Sequence, residues 1–284
     1  MDTICVCGAG TMGSGIAQLA AQSGFNTLLY DLDQQILGTA RQKIDKDFQL
    51  QVEKKRIPLS EMEASTRRIF FTDKIGDCVA DLVIEAIVER VEPKIALMNR
   101  LAEFNSPKTI FATNTSSLSV TRIAEQTRYP ERMIGMHFFN PATVMKLLEL
   151  VTTPFIAKTT ISAAWQVATQ MKKVPVVCRD APGFIVNRVA RPYYLEALKL
   201  VEESGTDFEA VDVLMEASGF KMGPFRLMDL IGNDVNYTVS CSLYEALGQP
   251  PRLRPSPLQE QMVLKKELGR KTGKGYYSYG PGGR

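Results

Sequence analysis

The chain has 284 residues, of which 45% are hydrophobic and 23% are charged, and its formal net charge at pH 7 is +3. This composition excludes a disordered chain, a collagen-like repeat and a small disulfide-rich protein, and the length suggests about two domains. The small positive charge gives no reason to expect nucleic acid or a membrane surface as a partner. No apolar stretch approaches the ~18 residues typical of a membrane span.

The five cysteines are Cys5, Cys7, Cys78, Cys178 and Cys241. None forms a Cys-x-x-Cys pair and their number is odd, so their spacing predicts neither a zinc site nor a disulfide framework. Reduced, partly buried thiols are typical of cytoplasmic proteins, and the N-terminal residues do not resemble a signal peptide. The sequence therefore predicts a cytoplasmic protein without a metal site.

A strand, a glycine-rich turn and a helix are predicted at the N-terminus. The apolar run Thr3–Cys7 is followed by the G-x-G-x-x-G turn over residues 8–13, and a helical pattern begins directly after it. In such a turn the first glycine permits a tight bend, the second lets the backbone approach a pyrophosphate, and the third lets the helix pack on the strand. The pattern predicts a dinucleotide site with these contact residues: Gly8, Gly10, Thr11, Met12 and Gly13.

The second predicted strand, Asn26–Tyr30, ends in Asp31. An acid about 20 residues past the last glycine of the turn binds the adenosine ribose in dinucleotide-binding folds, and its charge repels the 2′-phosphate of NADP. Asp31 therefore predicts NAD as the cofactor. A carboxylate that only caps a helix or lies in a loop is the alternative, and Asp33 competes for the ribose role.

A strongly charged helix is predicted over Gln34–Ile57, ended by Pro58, and Ser60 with Glu63 predicts a capping box for a second helix that ends near Arg68. Basic residues outnumber acidic ones in this hairpin. A solvated helix face is the simpler interpretation of each side chain, whereas the group as a whole suits the polyphosphate handle of a substrate.

Six further strands are predicted, at residues 69–72, 81–86, 109–114, 133–139, 147–151 and 174–178, with helices at 91–104 and 160–171. The polar run Asn114-Thr115-Ser116-Ser117 follows a strand, where open α/β sheets bind ligands. Helical patterns dominate from about residue 181, at 184–203, at 208–218 and twice within 229–247.

These patterns predict an α/β fold class. A Rossmann-type dinucleotide-binding domain with a helical hairpin insertion is predicted over residues 1–180, and an all-helical C-terminal domain over residues 181–284. We expect the helical domain to contribute to the substrate cleft and to a dimer interface. The last five residues, 280–284, are predicted to be disordered.

His137 is the one histidine of the chain. It lies near the end of a predicted strand, and Phe138 and Phe139 beside it would exclude water. A dehydrogenase needs a group that takes the hydroxyl proton of an alcohol as the hydride leaves, and histidine exchanges a proton near neutral pH. His137 is therefore the default general base, unless a lysine, a tyrosine or a carboxylate serves instead.

Glu149 interrupts the apolar strand pattern of Leu147–Val151. A carboxylate in such a strand needs a partner, and its separation from His137 suits adjacent strands joined by a loop. A histidine base works best with a carboxylate on its other ring nitrogen. Two interpretations stay open: Glu149 pairs with His137, or it faces outward in ordinary strand alternation.

Four motifs occur in order along the chain: Gly8–Gly15, Gly135–Pro141, Ala181–Arg188 and Leu268–Tyr277. Together they resemble the L-3-hydroxyacyl-CoA dehydrogenases, particularly the stand-alone bacterial 3-hydroxybutyryl-CoA type, over nearly the whole chain. The resemblance implies the reversible oxidation of an L-3-hydroxyacyl-CoA with NAD, a place in fatty acid metabolism and a homodimer.

The resemblance also implies roles at matching positions. His137 would be the catalytic base with Glu149 as its partner, and Ser116 and Asn187 would surround the reacting oxygen and the acyl chain. Lys54 on the basic hairpin would contact CoA. Positions that would contact the dinucleotide or support its pocket are Glu89, Lys94, Asn140 and Lys271.

Several positions depart from the family pattern, among them Asp47, Thr143, Arg191 and Arg226. Asp47 would repel phosphate where a relative can carry a serine that touches CoA. Arg191 follows Asn187 by four residues and shares its helix face, so it could pair with a distal carboxylate of the substrate. The arginines are either structural, with 3-hydroxybutyryl-CoA as substrate, or they favour a dicarboxylic substrate such as 3-hydroxyadipyl-CoA.

Two functions of other classes remain as alternatives. One is a dehydrogenase that acts on a free hydroxy acid or sugar acid rather than on a thioester. The other is an NAD(H) sensor without activity, since a fold alone does not determine function. A sensor need not keep a proton-relay set such as Ser116, His137, Glu149 and Asn187, which favours an enzyme.

Overall fold

The computed structural model describes residues 1–280, which form two compact units, one over residues 1–181 and one from Pro182 onward. Each unit has its own buried apolar core. Apart from Gly280, the tail predicted to be disordered lies outside the described residues. No helix within residues 1–280 is both long and apolar enough to cross a membrane.

The first unit is built on an eight-stranded sheet. Its strands, labelled β1 to β8 in chain order, are Thr3–Cys7, Asn26–Tyr30, Ile69–Thr72, Leu82–Glu85, Ile110–Thr113, Met133–Phe138, Leu147–Thr152 and Val174–Arg179. Their order across the sheet is β3-β2-β1-β4-β5-β6-β7-β8. Neighbouring strands are parallel except for β6 and β7, which are antiparallel. The order reverses between β1 and β4, where such folds bind ligands.

Helices cover both faces of this sheet. They are labelled α1 to α6 and span Thr11–Gln22, Gln34–Glu53, Leu59–Arg67, Val91–Ala102, Val120–Glu125 and Lys158–Gln170. Because side chains alternate along a strand, β1 serves two cores. Ile4 and Val6 pack with α1 on one face, whereas Cys5 and Cys7 pack with α4 on the other. The predicted Rossmann-type α/β fold is confirmed.

The second unit is helical, with two isolated β-bridges near its end. Its helices, α7 to α11, are Val186–Ser204, Phe208–Ala217, Pro224–Ile231, Asn233–Ala246 and Pro257–Leu264. Two buried carboxylates organise it. Asp212 accepts hydrogen bonds from the backbone N–H groups of Phe225 and Arg226, and Asp229 accepts them from those of Tyr276 and Tyr277.

The helical hairpin differs from the sequence prediction at two points. The first helix ends at Glu53 rather than at Ile57, because Lys55 has a positive φ of 52° and a helix cannot continue through it. The predicted Ser60–Glu63 capping box is wrong, since Pro58 is the N-cap residue of α3 and no side chain caps this helix.

The helices α5 and α11 were not predicted, although each carries a recognisable start signal. Ser119 accepts a hydrogen bond from the backbone N–H of Arg122, and Ser256 accepts one from Gln259. Both serines are therefore N-cap residues of the kind that marks a helix start in a sequence. The two helices are short, with six and eight residues, which is why their periodicity gave a weak signal.

The turn between β1 and α1 depends on two glycines. Gly8 has a φ of +101°, which L-residues rarely adopt. A Cβ atom at Gly13 would lie 1.7 Å from the carbonyl oxygen of Gly8, so this helix packs against the turn only without a side chain there. Around a Cβ atom at Gly10, in contrast, there is nothing within 4 Å.

We expect Gly13→Ala to lower the free energy of unfolding by about 3 kcal/mol or more, because the added methyl group overlaps a backbone oxygen that cannot move cheaply. Gly10→Ala is the matched control and should change this free energy by less than about 1 kcal/mol, the size of an N-cap effect. Urea unfolding followed by circular dichroism measures both. Equal stability of the two variants would contradict the packing argument.

Candidate active site

The glycine turn presents the N-terminus of α1 toward open space. Gly10 is the N-cap residue, and no side chain caps the first turn of this twelve-residue helix. The N–H groups of a first helical turn have no partner within the helix and carry a partial positive charge. With Gly10 exposed and without a side chain, this end of the helix is suited to bind the phosphates of a dinucleotide.

Asp31, at the carboxyl end of β2, is tied to the same turn. Its Oδ2 atom accepts a hydrogen bond from the backbone N–H of Ala9 at 2.8 Å, and its Oδ1 atom accepts one from Asp33 at 3.1 Å. The Asp33 carboxylate instead caps α2 by accepting from the backbone N–H of Gln35 at 2.8 Å. Of the two acids that competed for the ribose role, Asp33 is thus the helix cap and Asp31 is the one beside the turn.

A buried ion pair lies at the carboxyl end of β4. The Nζ atom of Lys94 lies 2.6 Å from Oε1 of Glu85 and 3.2 Å from Oε2 of Glu89. Lys94 is 1% exposed, so it holds Glu89 in place rather than reaching a ligand itself. The other oxygen of Glu85 accepts from the Thr113 hydroxyl at 2.7 Å. Sequence reasoning missed Glu85, although an acid that ends an apolar strand is a signal for a buried partner.

Glu89 organises the loop that carries Ser116. Its Oε1 atom accepts hydrogen bonds from the Thr115 hydroxyl at 2.5 Å, from the backbone N–H of Ser116 at 3.0 Å and from the Ser117 hydroxyl at 3.1 Å. Burial alone would raise the pKa of the Glu89 carboxyl, but Lys94 and these donors lower it overall. The carboxylate is therefore charged at neutral pH and holds the loop after β5 in one conformation.

His137 and Glu149 face each other across the one antiparallel pair of the sheet. They are direct partners in the β6–β7 register, and the Nδ1 atom of His137 lies 2.7 Å from Oε2 of Glu149. Both side chains are buried, with exposures of 6% and 0%. The centroid of the Phe139 ring lies 4.5 Å from that of the imidazole. Of the two interpretations of Glu149, the structure has the one in which the carboxylate meets the histidine.

The segment after His137 borders a cavity of about 340 Å³ that α1 and α2 also line. Thr11 lies in this lining, together with the exposed Asn140 and with Thr143. Lys173 stabilises this segment, because its ammonium group donates to the carbonyl oxygens of Ala142 and Met145. The cavity thus joins the start of α1 to the loop that follows the histidine.

The basic hairpin borders the same cavity through Lys43 and Lys46. Lys54 is exposed at the end of α2. Asp47, the acid that departs from the family pattern, also lines the cavity, and its carboxylate accepts from the amide groups of Gln18 at 2.6 Å and Gln51 at 2.8 Å. These donors offset part of the negative charge that would otherwise face a phosphate.

The helical unit holds the remaining predicted site residues. Asn187 is half-buried in the first turn of α7. Lys271 is exposed and binds both carboxylate oxygens of Asp234, at 2.5 and 2.7 Å. These positions belong to the second unit, whereas the glycine turn, Ser116, His137 and Glu149 belong to the first.

Both unusual arginines are engaged inside the helical unit. The Nη1 atom of the buried Arg191 donates to the backbone oxygen of Asn236 at 2.9 Å and to the Ser240 hydroxyl at 3.0 Å, and burial lowers the pKa of its guanidinium to about 10. Arg226 pairs with Glu216 at 3.1 Å and with Glu209 at 3.6 Å. These contacts favour the structural interpretation of the two arginines.

The sequence of this chain matches two protein families and several known relatives. The family described as 3-hydroxyacyl-CoA dehydrogenase, NAD binding domain, matches residues 3–181, and that described as 3-hydroxyacyl-CoA dehydrogenase, C-terminal domain, matches residues 183–279. The chain is 43% identical to the 3-hydroxyadipyl-CoA dehydrogenase of Escherichia coli K12, covering 98% of this chain and 59% of that protein. It is 38% identical to a probable 3-hydroxybutyryl-CoA dehydrogenase of Bacillus subtilis, covering 97% and 96%.

A solved structure of a related enzyme has the same fold. The crystal structure of (S)-3-hydroxybutyryl-CoA dehydrogenase from Ralstonia eutropha superimposes with a TM-score of 0.94 at 33% sequence identity, covering 99% of this chain and all of that one. The Escherichia coli relative is longer, and this chain spans 59% of its length.

The Glu89 network predicts a pH dependence of stability. The pKa of Glu89 is lower in the folded state than in the unfolded chain, where it is about 4.3. The stabilisation that the Glu89 carboxylate contributes to the folded state is therefore fully present above about pH 4.3, and it is lost as the pH falls through the lower pKa of the folded state. Glu89→Gln should therefore be less stable than the wild type at pH 7, and the difference should shrink below about pH 4.3. Urea unfolding between pH 7 and pH 3 measures this. Glu125→Gln, at an exposed position, is the control, and a difference that does not vary with pH would contradict the assignment.

Proposed function

This chain belongs to the 3-hydroxyacyl-CoA dehydrogenase family, and on that premise we propose that it catalyses the reversible NAD-dependent oxidation of an L-3-hydroxyacyl-CoA to the 3-oxoacyl-CoA. The observation that carries the proposal is the buried contact of 2.7 Å between His137 and Glu149. It is the arrangement that a proton-transferring base requires, on a fold whose glycine turn suits a dinucleotide.

The residues of the first unit fit NAD. The open space at Gly10 leaves room for a pyrophosphate beside the backbone N–H groups of Gly10, Thr11 and Met12. A carboxylate has about four lone-pair sites, and Asp31 uses two of them on backbone donors, so it retains sites for the ribose hydroxyls. NAD, when bound, supplies the hydride acceptor. We assign support of its pocket to Glu89, Lys94, Asn140 and, from the helical unit, Lys271.

His137 takes the proton of the C3 hydroxyl group in this proposal. Since Nδ1 faces the Glu149 carboxylate, it carries a hydrogen and donates to it, and Nε2 is then the nitrogen that accepts the substrate proton. Glu149 keeps the ring in this tautomer and stabilises the imidazolium that forms. In the reverse direction the imidazolium returns the proton to the ketone oxygen.

We assign the positioning of the reacting oxygen to Ser116 and Asn187. Ser116 lies in the loop whose residues 115–117 all donate hydrogen bonds to Glu89. The backbone that carries the Ser116 hydroxyl is therefore held in one conformation. Asn187 lies in the first turn of α7. A fixed oxygen aligns the leaving proton and the leaving hydride, which lowers the entropic part of the barrier.

The CoA handle is proposed to bind at the basic hairpin. Lys54 is exposed there, and Lys43 and Lys46 line the cavity beside α1. These ammonium groups suit the phosphates of CoA. Because Asp47 is hydrogen-bonded to two amide groups, it does not exclude this site.

The acyl group is proposed to be short, as in 3-hydroxybutyryl-CoA. The supporting observation is that Arg191 and Arg226 are already engaged by side chains and backbone of the helical unit. A dicarboxylic substrate such as 3-hydroxyadipyl-CoA is the second candidate, favoured by the name of the Escherichia coli relative that is 43% identical.

We further propose a cytoplasmic homodimer with a role in fatty acid metabolism. Five cysteines without a disulfide suit a reducing compartment. Val213 and Leu214 of α8 and Val235 of α10 are exposed apolar side chains of the helical unit, which suits a subunit interface there. The first unit binds NAD in this proposal, and the helical unit contributes Asn187 and the dimer contacts.

His137→Gln should reduce kcat about 1000-fold while NADH still binds, because the base is lost but a glutamine amide can still donate to the buried Glu149. Glu149→Gln should reduce kcat about 100-fold or more, since the amide no longer stabilises an imidazolium. Steady-state kinetics and NADH fluorescence titration measure the two effects. Glu131→Gln, an exposed carboxylate of the same unit, is the control. Near-full turnover of His137→Gln would refute its role as base.

The substrate class is tested by following NADH consumption with acetoacetyl-CoA, 3-oxoadipyl-CoA and free acetoacetate. We expect turnover of acetoacetyl-CoA and none of the free acid. Arg191→Met should leave the ratio of the rates with 3-oxoadipyl-CoA and acetoacetyl-CoA unchanged, because the wild-type guanidinium is hydrogen-bonded within the helical unit. A lower relative rate with 3-oxoadipyl-CoA in that variant would instead support the dicarboxylic substrate.

Two results would overturn the assignment itself. Turnover of free acetoacetate alone would indicate a hydroxy-acid dehydrogenase. Absence of turnover of all three compounds, with NADH bound, would favour the sensor.

A further inference from the structure

Three cysteines meet in the core on one face of the sheet. Cys5 and Cys7 are two residues apart on β1, so their side chains point to the same face. Cys78, which follows a short 3-10 helix over Ile75–Asp77, reaches the same place from a distant part of the chain. All three side chains are fully buried, and their Sγ atoms lie within 4.8 Å of one another.

The cysteine cluster lies in a largely apolar core. Among the described residues, the metal-binding group that contains these cysteines includes no histidine and no carboxylate. Tyr30, Val83 and Met98 belong to the same buried core. A buried site of three sulfur atoms is suited to a soft metal ion and unsuited to Mg²⁺ or Ca²⁺, which prefer oxygen ligands.

The sulfur spacing matches that of a metal thiolate site. A metal–sulfur bond of about 2.3 Å places the sulfurs of a trigonal site about 4.0 Å apart. Cys5 Sγ and Cys7 Sγ are 3.8 Å apart, and the third sulfur lies within 4.8 Å of both. A shift of less than about 1 Å at Cys78 would therefore bring all three sulfurs within bonding distance of one ion.

The cysteine thiols lose their protons when they bind a metal. The Cys78 Sγ atom donates to the backbone oxygen of Lys74 at 3.9 Å, so this proton is one that a metal ion would displace. Because thiolate is the form that binds metals, the affinity of an ion for the three sulfurs rises with pH.

We propose that Cys5, Cys7 and Cys78 form a trigonal binding site for Cu⁺. Zn²⁺ in structural sites takes four ligands almost without exception, whereas three buried sulfurs suit the softer monovalent ion. Three copper–sulfur bonds form as the three thiol protons are released to solvent, without a change in oxidation state. The site is independent of the proposed dehydrogenase function, and the proposal departs from the expectation, drawn from the cysteine spacing, that the chain has no metal site.

The test is a competition for Cu⁺ under anaerobic conditions between the full chain and the chromogenic chelator bicinchoninate. The wild type should retain one Cu⁺ per chain. The double variant Cys178→Ala/Cys241→Ala should also retain one, because both cysteines lie outside the cluster. Cys78→Ala and Cys7→Ala should lose the ion to the chelator, with circular dichroism and thermal unfolding as checks that they fold.

Three outcomes would overturn the proposal. The wild type could yield its Cu⁺ as readily as Cys78→Ala does. The double variant could lose the ion, which would assign the binding to Cys178 or Cys241. The wild type could instead take up one Zn²⁺ per chain and no Cu⁺, which would reject the trigonal copper site. Because the double variant keeps the whole cluster, it decides the question even if a cluster variant fails to fold.

Discussion

A carboxylate that lies inside a sheet without exposure to water must be hydrogen-bonded, and the candidate site depends on how this chain meets that requirement. Glu149 is 0% exposed and meets the imidazole of His137 across the antiparallel pair of β6 and β7. Leaving such a charge without its partner costs about 3 to 5 kcal/mol. The contact proposed to orient a base for proton transfer is therefore also one that the fold needs.

The reversal of strand direction makes this contact. Direct partners in an antiparallel pair have their side chains about 5 Å apart on the same face, within reach of a side-chain hydrogen bond. In a sheet that is otherwise parallel, β7 brings a residue that lies 12 positions later in the chain directly beside His137. The glycine turn, Asp31 and the Glu89 loop all follow the carboxyl ends of the parallel strands β1, β2, β4 and β5, so one edge of the sheet collects the groups proposed to bind the dinucleotide.

Buried charges order the loops of that edge. Lys94 lies between Glu85 and Glu89, and Glu89 in turn holds the loop of Ser116. A loop that is ordered before a ligand arrives loses less entropy when it binds. Two cysteines of the cluster lie on the face of β1 that packs with α4, so the strand that leads into the glycine turn also carries two of the three proposed metal ligands.

The sequence by itself determined the Rossmann-type fold, the helical second part and the glycine turn, because these follow from local patterns: strand and helix periodicity, and glycines at positions where a Cβ would collide. Four ordered motifs also pointed to the family. Helix ends were less certain, since the positive φ of Lys55 and the N-cap role of Pro58 are properties of single residues in their turns.

Only the tertiary structure decided which partner each polar side chain meets. Glu149 had two interpretations until the β6–β7 register placed it beside His137, and Asp31 was separated from Asp33 by the turn that it contacts. Arg191 was either a structural arginine or a substrate contact by sequence, and the structure places it against α10. Cys78 is 71 residues from Cys7, and no local pattern connects them. Hydrogen bonds and ion pairs form between atoms a few ångströms apart, and periodicity along the chain carries no information on which distant segments come that close.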